Sequence, residues 1–472
     1  MPAPLIPPDR MARLQGYGRR THADGYLYRP TNLEEIREIF VLARESGHQV
    51  VLRGAGRSYG DANIAAETIV LDITRMRRIL SWNPETGVID CEGGVTIEQL
   101  WRTTIEDSYW PPVVSGTMYP TLAGALAMNI HGKNNFCAGT LGEHVLEIDV
   151  LYPTGKLETL TREQDRFYDI TSSAGSLGVI TRVKLKTKRI ESGDVKLLSL
   201  ACKGWEDQFR ILQQYEDQAD YMVSWVDCFA RGKGQGRGQI HIAWYPHELE
   251  SSAAGLRPEA QDLPDTIMGF WPKSTVWRVL KLFNNRFGMN FVNSARHNAA
   301  SALANGKMHW QSLVGFSFLL DYVPNWRNAY LPGGFIQYQS FVPREKAHEV
   351  FAAQLSLQQK AGLVSFLGVL KRHRADNRPF LFSHAVDGYS LALDFKVTTR
   401  NWAKLQSLCH DMNEVVVAAG GRFYFAKDST LRPKDIQASL GTETLDRFRQ
   451  LKQELDPANL LTSGLAQRLL LG

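Results

Sequence analysis

The chain has 472 residues, 44% of them hydrophobic, and a formal charge of +5. That length permits two or three domains with ample core. So small a charge surplus, with no long Lys/Arg block, excludes dedicated nucleic-acid binding, and no apolar run approaches the roughly 18 residues of a membrane span. The five cysteines (Cys91, Cys137, Cys202, Cys228 and Cys409) are scattered and form no C-x-x-C pair. A disulfide framework and a metal site are therefore not expected, and a reducing, cytoplasmic setting is. Residues 1–20 are proline-rich and basic without an apolar stretch, unlike a signal peptide.

Taken in chain order, residues 33–46 have helical periodicity, with Asn32 as N-cap and Glu35 at the third position. Residues 49–52, 69–72 and 88–91 read as short strands. Between the first two lies Arg53-Gly54-Ala55-Gly56-Arg57-Ser58-Tyr59-Gly60-Asp61. Glycines let such a loop turn tightly and point its N–H groups at an anion. A Rossmann loop would run straight into a helix. Here residues 61–67 are polar and broken, so the loop joins strand to strand and would bind phosphate through its own amides. A capping box at Thr96–Gln99 opens a helix to about residue 107. Small residues recur at 115–127 and 172–178, and residues 145–151 and those after Pro153 form a hairpin. Strands and helices interleave without a βαβ rhythm, so the fold is expected to be α+β.

Beyond about residue 196 tryptophans become frequent, and residues 251–272 read as a long mobile loop. Further strands are expected at 335–342, 390–396 and 422–426, and helices at 344–360 and 444–455. Three glycine-rich stretches in one domain suit an extended ligand such as a dinucleotide. His131 stands between an apolar helix and a glycine turn, where a structural histidine is the competing reading. Lys427 follows the apolar run 424–426, so its ammonium is either partly desolvated, as functional lysines often are, or a surface neighbour of Asp428. Gln337 and Gln339, two apart on a strand, share a face. Residues 271–289 hold Lys273, Arg278, Lys281 and Arg286 among Trp277, Leu280, Phe283 and Phe287. This basic amphipathic stretch either rests on an anionic membrane or packs on the domain.

Nine segments, in this order, carry a resemblance: RGAGRSYGD (53–61), HGKN (131–134), SWVDC (224–228), GRG (236–238), FIQYQSFVP (335–343), VLKR (369–372), GYSLALDF (388–395), YFAKDS (424–429) and DPANLL (456–461). On these the chain is identified as a member of the flavin oxidoreductases with a vanillyl-alcohol-oxidase or PCMH-type FAD-binding domain. Within them it is most similar to the decaprenylphosphoryl-β-D-ribose 2′-oxidases. The resemblance implies an FAD domain at residues 1–196, completed by 417–472, with an antiparallel-sheet substrate domain at 197–416 inserted. It implies FAD contacts from Arg53, Gly54, Ala55, Gly56, Arg57, Ser58 and Tyr59, then Gly116, Thr117, Gly124, His131, Asn134, Ala138, Gly178, Ile180 and Tyr424. Many relatives tether flavin through a histidine in the first loop. Arg57 occupies that position here, so FAD is expected without a covalent bond.

The implied reaction oxidises the ribose 2′-hydroxyl of a polyprenyl-phosphate sugar, a cell-wall polysaccharide precursor. This would be the first half of an epimerisation that a separate NAD(P)H-dependent short-chain reductase completes. Lys427, His131 and Tyr59 are the implied catalytic residues, and Gln337, Gln339, Lys371 and Lys427 would bind substrate. Peripheral contact with the inner face of a membrane fits such a substrate. The mycobacterial branch carries a cysteine where this chain has Ala392, so thiol-directed inhibitors of that branch are expected to fail here. Two other readings are an alditol or sugar-lactone oxidase or dehydrogenase, and a non-catalytic flavin-binding scaffold.

Overall fold

Helix starts follow the capping signals. Asn32 Oδ1 accepts from the Glu35 amide at 3.0 Å, opening the Leu33–Ser46 helix. Thr96 and Gln99 exchange bonds between side chain and backbone, each of 3.2 Å, at the start of Ile97–Thr104. The computed structural model describes residues 6–246, 253–267 and 269–471, and is built on three principal sheets. Helices mixed with largely antiparallel sheets make it the expected α+β architecture.

The first sheet has the order Met11–Gln15, His22–Tyr28, Ile69–Asp72, Val50–Arg53, Leu461–Thr462. Its last three strands are mutually parallel, so the glycine loop after Arg53 does run from strand to strand. The C-terminal strand reaches this sheet because of a buried ion pair. Lys452 Nζ donates to Asp456 Oδ2 and to the Leu461 carbonyl, both at 2.6 Å, and the Asp456 carboxylate accepts from the Leu460 and Leu461 amides. Removing one partner would leave a buried charge uncompensated, at a cost of about 3–5 kcal/mol.

The second sheet is antiparallel throughout: Ile79–Asn83, Val88–Glu92, Val179–Lys186, Val145–Leu151, Leu157–Thr161. Its last two strands are the expected hairpin. The third sheet has eight strands, again all antiparallel. Their order is Lys307–Ser312, Asp194–Cys202, Gly238–Trp244, Tyr221–Val226, Leu367–His373, Gly388–Lys396, Phe335–Pro343 and Arg422–Phe423. One apolar core runs between the second and third sheets. In it Trp101 stacks toward Trp110 and Trp110 toward Phe318, each at 6.0 Å between ring centres.

Three expectations are corrected. Part of the stretch 251–272 lies outside the described residues, but the remainder is not an open loop. It forms 3-10 turns at Ala253–Leu256 and Pro258–Gln261 and a small ribbon, Thr266–Ile267 with Trp271–Pro272. Buried Gln261 pins it, donating to the Gly193 and Gly255 carbonyls at 2.8 and 2.7 Å and accepting from the Val314 amide at 3.1 Å. The strand expected at 422–426 stops at Phe423. Beyond it the chain turns, with the Lys427 amide on the Tyr424 carbonyl at 2.9 Å. The basic amphipathic stretch is two helices, Lys273–Phe283 and Arg286–Ala299. They break where Asn284 bonds the Ala329 carbonyl at 2.7 Å and Asn285 caps the next helix.

Candidate active site

The glycine loop is clamped on both sides by backbone. Tyr17 N–H donates to the Ser58 carbonyl and Tyr59 N–H to the Ala426 carbonyl, both at 2.8 Å. Gly56 sits at φ +65°, a left-handed conformation that glycine takes at little cost. A Cβ on Gly54 would overlap Thr121 Oγ1, and one on Gly60 would overlap the Asp428 carbonyl. The loop can therefore lie flat against its neighbours and leave its open side free. Arg57 is held between aromatic rings, its guanidinium 5.4 Å from Tyr17 and 4.9 Å from Tyr119. Asp321 staples the adjoining stretch, accepting from Thr117 Oγ1 and from the Met118 amide, each at 2.8 Å.

These loops form one wall of a cavity of about 660 Å³. The opposite wall is a single face of the eight-stranded sheet. Register fixes which residues share it, because cross-strand partners point the same way and side chains alternate along a strand. Gln339 pairs with Ala392, Ala392 with Val369 and Val369 with Trp225, while Val223 pairs with His241 and Leu197 with His309. All of these line the cavity. From the Gln339 strand to the His309 strand is six neighbours, about 30 Å at roughly 4.8 Å per strand.

Of the residues read from sequence, Arg53, Gly54, Ala55, Gly56, Arg57, Ser58, Tyr59, Gly116, Thr117, Gly124, His131, Gly178, Ile180 and Tyr424 are in this wall. So are Gln337, Gln339, Lys371 and Lys427, and also Ala392. Asn134 and Ala138 are not. The Asn134 amide is turned to the Pro112 carbonyl at 2.8 Å, and the Ala138 carbonyl meets His144 Nε2 at 2.8 Å. The sequence reading passed over Tyr17, Lys133, Trp225, His241, Arg296, His309 and Gln311, which also line the cavity. Lys133 was within reach, being part of the HGKN segment. So was Trp225, in the SWVDC segment, whereas Tyr17 comes from a turn and the rest from strands and a helix with no distinctive motif.

Charge is distributed unevenly here. Arg53, Arg57, Lys133, Arg296, Lys371 and Lys427 contribute six cationic side chains, and no Asp or Glu lines the wall among the described residues. Burial pulls Lys133 down to about 7, helped by the neighbouring charge of Lys371. Lys371 falls to about 8 by burial alone. Burial also lowers Lys427, opposed by Asp394 and reinforced by Lys371. The Lys427 ammonium lies 3.8 Å from the centre of the buried Tyr59 ring. Asp394, on the same sheet face but outside the cavity lining, accepts from Gln337 Nε2 at 2.6 Å, and burial raises its carboxyl. His131 is buried among Phe341, His373, His384 and Tyr424, with ring centres 4.9–5.3 Å away. Burial, then Lys371, His373, His384 and Lys427, hold it well below the usual imidazole range, so it is neutral.

A flat glycine cradle with flanking arginines, open to a deep cavity, fits a dinucleotide diphosphate. The comparisons agree. The family described as FAD binding domain matches residues 25–161, and that of D-arabinono-1,4-lactone oxidase matches residues 335–469. These matches make the chain an FAD-dependent oxidoreductase, similar in its first part to FAD-binding domains and in its last part to lactone oxidases. Among its relatives is the decaprenylphosphoryl-beta-D-ribose oxidase of Mycolicibacterium smegmatis, 28% identical over 98% of both chains. An uncharacterized protein of Streptomyces coelicolor is 26% identical over 79% of this chain and 100% of its own. The L-gulono-1,4-lactone dehydrogenase of Mycobacterium tuberculosis is 26% identical over 45% of this chain and 46% of its own.

FAD is the cofactor of this flavoenzyme, and the cradle gives a direct test of how it is held. Gly54→Ala should purify with less than one FAD per chain, read from the ratio of visible to ultraviolet absorbance, while far-ultraviolet dichroism is unchanged. Full occupancy in the variant would mean that the loop does not approach the cofactor.

Proposed function

We propose that this flavoenzyme oxidises a hydroxyl of a sugar that carries a phosphate and a long apolar tail. The leading substrate is a polyprenyl-phosphate ribose, attacked at its 2′-hydroxyl. The observation that carries this reading is the cavity wall with six cations and no carboxylate, continued along about 30 Å of sheet. Arg53 and Arg57 flank the glycine cradle and would serve the cofactor's own diphosphate. Apart from Lys427, the sheet end holds Lys133, Lys371 and Arg296, and a second anion would hold these desolvated groups in their charged form. A free lactone or alditol is uncharged and would occupy only one end of such a trough. The relative named as a decaprenylphosphoryl-ribose oxidase, matched over nearly the whole chain, supports the same substrate class.

Bound FAD supplies the hydride-accepting chemistry. In this reading residues 54–59 with Gly116, Thr117 and Gly124 hold the diphosphate, and Gly178 and Ile180 the adenine end. Gln337, Gln339 and Lys371 hold the sugar and its phosphate. Lys427, already driven toward the neutral amine, takes the proton of the reacting hydroxyl at its Nζ. The keto-sugar product then needs a separate nicotinamide-dependent reductase to complete an epimerisation. The expected outcome is that anaerobic addition of polyprenyl-phosphate ribose bleaches the flavin of the wild-type enzyme. Lys427→Ala should stay yellow both before and after substrate. Bleaching by an alditol or lactone alone would overturn the substrate, and turnover by Lys427→Ala would remove that residue from the chemistry.

The pH dependence follows from the neighbours of Lys427. As pH rises the amine loses its proton, so flavin reduction should accelerate and level off, with a midpoint below that of a free lysine. Asp394 raises the Lys427 midpoint and Lys371 lowers it. Asp394→Asn should therefore move the rising limb to lower pH and Lys371→Met to higher pH, measured by anaerobic stopped flow. Shifts in the opposite sense would exclude Lys427 as the titrating base.

A lipid-linked substrate also needs access to a membrane. No helix among the described residues is long and apolar enough to cross one. The helix Arg286–Ala299, however, carries Arg296 at the cavity and Phe287 and Phe291 outward, 87% and 67% exposed. Leu282 beside it is 75% exposed. Arg278, Lys281 and Arg286 are exposed around these side chains, whereas Lys273 is turned inward with its ammonium 3.5 Å from the Tyr322 ring centre. Such a face suits an anionic bilayer. Replacing Arg278, Lys281 and Arg286 by Glu should abolish co-sedimentation with anionic vesicles. Unchanged sedimentation would sink the membrane reading.

A further inference from the structure

At the cavity wall three buried imidazoles, His131, His373 and His384, pack together, and two are linked through hydrogen bonds. His373 Nε2 meets Ser390 Oγ at 2.7 Å. Ser390 Oγ accepts from Gln339 Nε2 at 3.4 Å, and the same Gln339 nitrogen meets His131 Nε2 at 3.2 Å. Ser390 and His373 are fully buried, and only His131 and Gln339 reach the cavity. His131 and Gln339 stand out in the sequence, but their link to Ser390 and His373 does not, because Gln339, Ser390 and His373 lie on three strands brought together by register.

An amide nitrogen can only donate, which sets the direction of its two bonds: Gln339 donates to His131 Nε2 and to Ser390 Oγ. The Ser390 hydroxyl proton meets no acceptor but His373 Nε2 among the described residues, so this bond runs from Ser390 to His373. Both imidazoles then accept at Nε2 and carry their single proton on Nδ1. Burial holds both of them neutral, which this order requires. The Nδ1 atoms of His131 and His373 find no partner among the described residues. Apolar side chains would fill this place, against Phe341 and Tyr424, without stranding polar atoms. A purely packing role is thus a poor account of the chain.

We propose that Ser390 and His373 are positioning residues, which through Gln339 hold the His131 imidazole at the cavity wall in one orientation and one neutral tautomer. His131 Nε2 is engaged as an acceptor and is not free to take a substrate proton. That task is left to Lys427, and His131 serves by its fixed orientation. The inference rests on the reading of this cavity as the site of oxidation.

The test uses holoenzyme labelled with ¹⁵N-histidine. Long-range ¹H–¹⁵N spectra should show wild-type His131 protonated at Nδ1 alone, and His373→Phe and Ser390→Ala should each give a mixture of tautomers. With whichever donor reduces the flavin, both variants should lose kcat on the order of 10-fold to 100-fold, as a displaced catalytic group does, with KM little changed. His373→Gln, whose amide oxygen can accept from Ser390, should restore most of kcat. A wild-type His131 protonated at Nε2 would overturn the proposal, and so would a His373→Phe enzyme with unaltered tautomer and kcat. If His373→Phe does not fold, Ser390→Ala carries the same outcomes. The spectra need no substrate, so they can stand even where no polyprenyl-phosphate sugar bleaches the flavin. In that event only the proposed substrate fails.

Discussion

The cavity depends on a backbone contact between two segments more than 350 residues apart in sequence. The Tyr59 amide donates to the Ala426 carbonyl, and Gly60 lies so close to Asp428 that no side chain could be accommodated. Arg468 locks the junction, bonding both Asp61 and Asp428 at 2.8 Å. These bonds tie the glycine loop to the turn that follows the last strand of the large sheet. Without them the cradle and the sheet would be separate surfaces. With them, Lys427 is pressed onto Tyr59 and the anion-binding loop faces the residues that would handle the sugar.

Electrostatics then decides what the shared space can hold. Three lysines with lowered proton affinity and two loop arginines would be an expensive arrangement in an empty interior. They become favourable only when negative charge enters. The carboxylate that acts on Lys427, Asp394, does not line the cavity and modulates Lys427 without competing for the ligand. The site is in that sense unfinished until its anions are bound.

Much of this was legible in the chain. The Asn32 cap, the Thr96–Gln99 box, the hairpin after Val145 and the strand-to-strand glycine loop are local signals, and the structure has each of them. Gln337 and Gln339 were assigned a common face by alternation alone, and both line the cavity. What could not be read locally was set by long-range register. Lys133, His241 and His309 meet one cavity because strands far apart in sequence are neighbours in the sheet. Residues 424–426 read as strand but belong to the turn before Lys427, because an apolar run cannot show where its pairing partner ends. The mobile loop was misjudged for a related reason: one buried amide, Gln261, outweighs a composition rich in glycine and proline.

The trough crosses the strands of the large sheet instead of running along one of them. Successive strands therefore act like the marks of a ruler, each touching a different stretch of whatever lies in the groove, about 4.8 Å from the next. A change on the Gly388–Lys396 strand, such as alanine in place of cysteine at 392, alters the reading near one end alone. A change on the Lys307–Ser312 strand alters it only at the far end. Selectivity for the reacting group and for the remainder of the molecule can thus diverge independently, one strand at a time, without disturbing the glycine cradle.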